Sequence, residues 1–151
     1  MNLSPHFALD EFVVSETAAR HGLDNSPNAE QLENLRLLAR MLESVRVVLN
    51  DKPIIVTSGY RAPAVNALVK GSQNSAHMSG LAADCICPGF GDPLAVCRAI
   101  EGSNVSFDQL ILEFFTGPGR GWTHFGVGGQ WRRQALTINS QGDREGIWAP
   151  G

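Results

Sequence analysis

Ser75-Ala-His77-Met-Ser-Gly80-Leu-Ala-Ala-Asp84 places a histidine and a carboxylate seven positions apart, joined by small residues and a glycine. A second histidine follows at a distance, in Trp122-Thr-His124-Phe. Two histidines and one carboxylate are suited to supply three ligands to a zinc ion and to leave its fourth position open for water. The sequence therefore predicts a catalytic zinc site with one ion per chain, and it requires a fold that brings His77, Asp84 and His124 to one point.

The residues after Gly80 form an apolar run, 81–86, that is typical of a buried strand. An unpaired carboxylate in such a run would cost several kcal/mol, so we expect a cation or strong hydrogen-bond donors beside Asp84. Alternation along the strand places Asp84 on one face and Cys85 and Cys87 on the other. We therefore interpret these cysteines as small buried hydrophobes rather than zinc ligands. With Cys97 the chain has three cysteines, an odd number that favours free thiols.

The rest of the chain predicts helices first and strands mostly later. Leucines and valines recur at steps of three and four after Ser26-Pro27, which indicates a long amphipathic helix that ends at Asn50. Further predicted helices span 64–69 and 93–100, and further strands span 53–57, 107–115, 122–127 and 131–138. The glycine-rich stretch 116–120 is long enough to join strands 107–115 and 122–127 as a hairpin. We expect an α+β fold in which N-terminal helices pack on a small, mainly antiparallel sheet that carries the zinc site.

The composition fits one domain. With 43% hydrophobic residues and no low-complexity run, the 151 residues can bury a core of their own. Residues 1–25 are expected to pack on this domain as an N-terminal extension, and residues from about 140 to 151 to form a poorly ordered tail. The expected anchors of the extension are Phe7, Leu9, Phe12 and Val13.

The charge balance argues against nucleic acid as a partner, because a net charge of −3 and a pI near 5.7 provide no basic stripe. No stretch reaches the ~20 apolar residues of a membrane span, and the N-terminus has no charged start followed by an apolar core. We therefore expect a protein that is made in the cytoplasm without a signal peptide and is not inserted into a membrane.

Several motifs, in this order along the chain, closely resemble the zinc D-Ala-D-Ala carboxypeptidase-like peptidases, the M15 clan of peptidoglycan-cleaving enzymes, and most of all its short phage-associated and bacterial branch. They are Ser58-Gly-Tyr-Arg61, Asn66, Gly71-Ser, Ser75-x-His77-x-x-Gly80-x-Ala-x-Asp84, Phe107-Asp-Gln-Leu-Ile-Leu-Glu113 and Trp122-x-His124. The resemblance covers nearly the whole chain. It implies a hedgehog/DD-peptidase-like fold and a zinc-dependent hydrolase of peptide bonds in bacterial cell-wall stem peptides.

The resemblance also implies roles for single residues. His77, Asp84 and His124 match the zinc ligands of the family, and Arg61 matches the arginine that polarises the scissile carbonyl and stabilises the oxyanion. A guanidinium suits that role because it is always charged and offers several donors; the alternative is a structural ion pair. Ser75 is expected to orient the substrate or its own loop.

The general base is where the sequence departs from the family pattern. Many relatives have a Glu or Asp three residues before the last zinc-binding histidine, but this chain has Gly121 there. Glu113, across the expected hairpin from His124, is our candidate to accept the proton of the attacking water and pass it to the leaving amine. Its alternative role is that of a charged strand-end residue facing solvent. Asp108 is the reserve candidate.

Three functions compete at this stage. The first is an active wall peptidase, either a carboxypeptidase or an endopeptidase. It would be released with the help of a phage holin, carried in a virion, or used by a bacterium to remodel its wall. The second is a wall-binding module that keeps the zinc site without turnover, an alternative that Gly121 keeps open. The third is a structural phage component that interacts with virion proteins.

Overall fold

The computed structural model describes residues 1–151, which form a mixed α and β architecture. The helices are α1 (Leu9–Val13), α2 (Glu16–His21), α3 (Ala29–Val48), α4 (Pro63–Leu68) and α5 (Pro93–Glu101), with a short 3-10 helix at Ala76–Ser79. The strands are β1 (Asn2–Ser4), β2 (Phe7–Ala8), β3 (Ile55–Ser58), β4 (Ala82–Ile86), β5 (Gln109–Glu113), β6 (Trp122–Gly126), β7 (Gln134–Asn139) and β8 (Gly142–Glu145). The predicted α+β class is confirmed. None of the helices is both long and apolar enough to cross a bilayer.

The long helix α3 forms one side of the core. It begins at Ala29, two residues after the predicted first helical position Pro27, because Asn28 rather than Ser26 caps it. The side chain of Asn28 accepts from Gln31 N, and the side chain of Gln31 accepts in return from Asn28 N, both at 2.8 Å. This reciprocal capping satisfies amides that the first turn leaves without helical partners. The predicted apolar stripe is confirmed, since Leu35, Leu38, Leu42 and Val45 are fully buried.

The main sheet has six strands in the order β3-β4-β6-β5-β7-β8. All of its neighbours are antiparallel except β5 and β7, which are parallel. The hairpin of β5 and β6 and the adjacency of β4 and β6 are as predicted. One face of the sheet packs on α5 and shares the hydrophobic core with α3, and it includes Cys85, Leu110 and Phe125. The buried, free Cys85, Cys87 and Cys97 agree with the interpretation of these residues as small hydrophobes.

The two chain ends are both folded. The β1–β2 hairpin and α1 bury Phe7 and Phe12 in the core, with Leu9 and Val13 packed against it, as expected for anchors. The expectation of a poorly ordered tail from about residue 140 is wrong for 142–145, because these residues form β8 and pair with β7. Beyond them, Trp148 N donates to Thr137 Oγ1 at 3.0 Å, so residues near the C-terminus contact the sheet as well.

Candidate metal centre

The pairing of β4 and β6 creates the centre of the site. Asp84 lies directly opposite His124 in the antiparallel register, so both side chains leave the sheet on the face away from α3 and α5. His77 enters from the 3-10 helix that precedes β4. Asp84 Oδ1 lies 3.1 Å from His124 Nδ1 and 3.4 Å from His77 Nε2. One ligand atom from each residue lies within 4.8 Å of the others, so the three predicted ligands form one cluster that could hold a metal ion.

The ring of His77 is oriented by the backbone. Its Nδ1 lies 2.8 Å from Gly59 O, and since a carbonyl oxygen only accepts, Nδ1 carries the proton. In the neutral ring Nε2 is then an acceptor, yet it faces the acceptor oxygen of Asp84. A cation between the two atoms removes that conflict, and a histidine that donates its other nitrogen to a carbonyl is the usual arrangement of a metal ligand.

Gly59 is required for this carbonyl to reach His77. A Cβ at Gly59 would lie 2.5 Å from Phe12 O, so the backbone of the loop runs too close to α1 for any side chain. The amide of the next residue, Tyr60, donates to the same Phe12 O at 2.7 Å. The N-terminal extension thereby holds the loop that orients the first histidine.

The second histidine and the carboxylate are buried, with 8% and 9% of their surfaces exposed. His124 Nε2 has no hydrogen-bond partner, and the ring packs edge-on against His77 with 5.2 Å between centroids. Burial by itself would raise the pKa of Asp84, but the adjacent imidazoles of His124 and His77 outweigh it and hold that pKa well below its usual range. Asp84 is therefore ionised at neutral pH, and the donor set of two imidazoles and one carboxylate fits zinc.

Glu113 stands beside this cluster. It pairs across the hairpin with Trp122, and its Oε1 lies 3.7 Å from His124 Nδ1. Burial, followed by the negative charge of Asp84, raises the pKa of Glu113, while His124, Trp122 and Arg61 partly offset the increase. Only 18% of the side chain is exposed. This placement does not match the alternative of a strand-end residue on the solvent side, and a largely buried carboxylate with a raised pKa is suited to accept and return a proton.

Gly121 cannot carry the carboxylate that the family resemblance leads one to expect. Its φ is +73°, and a Cβ there would lie 2.6 Å from Glu113 O and 2.6 Å from Phe115 Cα and N. These are backbone atoms, which cannot move aside as the end of a flexible side chain can. The hairpin thus excludes a side chain at 121 and places the carboxylate of Glu113 3.7 Å from His124 Nδ1.

Arg61 lies close enough to Asp84 and Glu113 for their charges to act on its guanidinium. Its backbone N donates to His77 O at 3.1 Å, and its Nη2 is 3.5 Å from Ser75 Oγ. The guanidinium takes part in none of the ion pairs of the fold, and its Nε is buried without a partner. Burial lowers the pKa of Arg61, an effect that Asp84 and Glu113 oppose. The alternative of a structural ion pair for Arg61 finds no partner, and its free donors are available to a negatively charged group.

Ser75 and Asp108 have structural partners. Ser75 Oγ accepts from His77 N at 3.2 Å and so caps the 3-10 helix that carries the first histidine, in line with a loop-orienting role. The reserve candidate Asp108 is held by Arg132, whose Nε and Nη2 donate to it at 3.0 and 2.9 Å. The carboxylate of Asp108 is engaged there, whereas Glu113 Oε1 lies 3.7 Å from His124 Nδ1, so the geometry favours Glu113 over Asp108.

Asn25 stabilises the loop that carries Arg61, a role that was not predicted from the sequence. Its Nδ2 donates to Val13 O at 2.8 Å and to Tyr60 O at 3.1 Å, while its Oδ1 accepts from Ala62 N at 2.8 Å. These bonds hold the backbone on both sides of Arg61. The sequence signal for Asn25 was its place in Asn25-x-Pro27, which belongs to the family resemblance, but nothing local indicates which distant backbone such a side chain will meet.

Comparisons with known proteins agree with this geometry. The sequence profile of the family described as Peptidase M15 matches residues 5–116, more than half of the 151-residue chain, and ends before His124. The chain is also similar to the zinc D-Ala-D-Ala carboxypeptidase of Streptomyces albus G, with 36% identity over 78 residues. That alignment covers 52% of this chain and 28% of the relative's length.

Proposed function

Because this chain belongs to the peptidase M15 family, we propose that it is a zinc peptidase that cleaves peptide bonds in the stem peptides of bacterial peptidoglycan. The observation that carries the proposal is the cluster itself. Ligand atoms of His77, Asp84 and His124 lie within 4.8 Å of one another, and Glu113 Oε1 lies 3.7 Å from the last of them. A buried three-ligand group with an adjacent carboxylate is what metal-assisted amide hydrolysis requires.

The proposed division of labour follows from the contacts. A zinc ion held by His77 Nε2, an Asp84 oxygen and His124 Nδ1 would supply Lewis acidity and lower the pKa of a water molecule toward ~7. Glu113 Oε1 accepts a proton from the attacking water and returns it to the leaving amine. The guanidinium of Arg61, which has no carboxylate partner, stabilises the negative charge that develops on the carbonyl oxygen.

The substrate is proposed from similarity. The relative from Streptomyces albus G is named a zinc D-Ala-D-Ala carboxypeptidase, and the aligned 78 residues support a related substrate for this chain. The resemblance to the short phage-associated and bacterial branch supports a phage- or prophage-type wall hydrolase that acts on the wall after release or from a virion. The proposal includes both a carboxypeptidase and an endopeptidase, because the motifs are common to the two activities.

The test is digestion of purified peptidoglycan by the zinc-loaded protein, with the released fragments identified by mass spectrometry. We expect either free D-Ala or fragments cut within or between stem peptides, and the mass of the fragments identifies the bond. His77→Ala should abolish the fragments because it removes a ligand. Glu113→Ala should slow their release about 10²- to 10⁴-fold with the zinc content unchanged.

A catalytically silent wall-binding or structural module is the second candidate, and the missing carboxylate at Gly121 is the observation that favours it. It predicts that the zinc-loaded protein binds purified peptidoglycan in a sedimentation assay yet releases no fragments from any wall type. Recovery of virion proteins with the chain, together with that inactivity, would identify the structural phage component instead.

A further inference from the structure

Trp122 donates a hydrogen bond from its indole Nε1 to Glu113 Oε2, with 3.1 Å between the atoms. The two residues are direct cross-strand partners in β5 and β6, so the indole leaves the sheet beside the carboxylate and on the same face. The other carboxylate oxygen, Oε1, is the one that lies 3.7 Å from His124 Nδ1. The two oxygens of Glu113 therefore have different neighbours, one an indole donor and the other the metal cluster.

This difference matters because the last torsion of a glutamate side chain is soft. Rotation about the bond to the carboxylate is broad and roughly two-fold, so the packing of the methylene groups does not fix where the oxygens point. A donor bound to one oxygen does fix it. Since Glu113 is largely buried, the bond from Trp122 to the ionised carboxylate is stronger than the same bond would be in water.

Phe114 packs against the indole of Trp122 on its solvent-exposed side. Its ring centroid lies 5.5 Å from that of Trp122, and 44% of its surface is exposed. Its φ is +52°, a region that residues other than glycine rarely adopt. This unfavourable backbone conformation places the ring of Phe114 against the indole of Trp122. Such outliers point to a functional constraint when they occur beside a site.

We propose that Trp122 is a positioning residue that holds the carboxylate of Glu113 in the orientation for proton transfer, with Phe114 packed against it. The expected effect of Trp122 on turnover rests on the proposed function. The hydrogen bond between Trp122 and Glu113 does not depend on that function. Trp122 acts through Glu113 and is not itself required to touch the substrate.

The kinetic test is Trp122→Phe, which removes the indole N–H and keeps an aromatic ring. We expect kcat to fall roughly 10- to 100-fold, the range for loss of a hydrogen bond to a charged group, with KM changed by less than about threefold. Zinc content should stay at the wild-type level. The matched control is Trp148→Phe, which removes an indole donor to a backbone carbonyl outside the site and should leave kcat unchanged.

The second test does not depend on turnover. In a 15N-labelled sample the indole N–H resonance of Trp122, assigned by its loss in Trp122→Phe, should move clearly when Glu113 is changed to Gln, while those of Trp131 and Trp148 stay in place. Wild-type kcat in a folded, zinc-loaded Trp122→Phe, or an indole resonance insensitive to Glu113→Gln, would overturn the positioning role. Wild-type protein that releases no wall fragments would refute the proposed function instead, and the resonance would still report on the bond.

Discussion

Gly121→Ala tests whether the hairpin really excludes a side chain beside Glu113. Gly121 has φ +73°, and an added Cβ would lie 2.6 Å from backbone atoms of Glu113 and Phe115. Gly119, in the same connection, has φ +77° and no atom within 4 Å of an added Cβ. The two glycines have nearly the same positive φ and differ in the space around an added Cβ, which makes Gly119→Ala the matched control.

The expected magnitudes separate the two effects. An L-residue in the left-handed region costs about 1–2 kcal/mol, and this cost applies to both variants. Forcing a methyl group against a backbone that cannot rotate away adds about 1–3 kcal/mol for Gly121→Ala alone. We expect the free energy of unfolding to fall by about 1–2 kcal/mol in Gly119→Ala and by roughly 2–5 kcal/mol in Gly121→Ala.

Urea denaturation of the metal-free proteins measures the difference, because removing the metal excludes its contribution to stability. Equal losses in the two variants would show that the space at Gly121 is not restricted and would refute the steric argument. The same geometry predicts that Gly121→Glu does not restore hydrolysis to Glu113→Ala. Recovery of activity in that double variant would mean that a carboxylate at 121 can reach the site after all.

Three further predictions concern the base, the N-terminal extension and the loop before β7. Glu113→Ala should lower kcat about 10²- to 10⁴-fold, the usual contribution of a general base, and elemental analysis should find its zinc content unchanged. Burial raises the pKa of Glu43, but the hydrogen bonds from Ser4 Oγ, His6 N and the His6 ring outweigh it and lower that pKa. The stabilising contribution of Glu43 is therefore complete above its unfolded-state pKa and is lost as pH falls through its folded-state pKa. Urea denaturation at a series of acidic pH values should show a weaker fall in the free energy of unfolding for Glu43→Gln than for wild type. Arg133→Met should lower the free energy of unfolding by about 1–2 kcal/mol in urea denaturation, because it removes donors to Val105 O and Ser103 O, and an unchanged midpoint would show that these bonds contribute nothing.

The parts of the fold that follow from local periodicity could be predicted from the sequence. The apolar stripe of α3 is visible because its leucines recur every three or four residues, whatever they pack against. Alternation in 81–86 placed Asp84 and the cysteines on opposite faces, and the register Asp84 to His124 bears this out. Both predictions needed only the geometry of a single element.

The parts that depend on distant partners could not be predicted in the same way. The strand β8 reads Gly142-Asp-Arg-Glu145, is exposed throughout and has no apolar alternation, so only its pairing with β7 makes it a strand. The start of α3 was misplaced because two capping residues, Ser26 and Asn28, stand close together and only the fold selects between them.

The site shows the same division. The ligand types and their order along the chain were readable, but the carbonyl of Gly59 that orients His77 and the indole of Trp122 that binds Glu113 are long-range contacts. The absence of a carboxylate at Gly121 was visible in the sequence. Its reason, the close approach of the backbone at Glu113 and Phe115, became clear only from the hairpin.

The central claim is that His77, Asp84 and His124 hold the zinc ion on which hydrolysis depends. The most direct measurement is zinc content by elemental analysis, together with cleavage of purified stem peptides, for wild type, Asp84→Asn and the control Asp108→Asn, whose carboxylate pairs with Arg132 outside the cluster. We predict one zinc per chain and cleavage for wild type and Asp108→Asn, and neither for Asp84→Asn. Full zinc occupancy or cleavage in a folded Asp84→Asn would contradict the account.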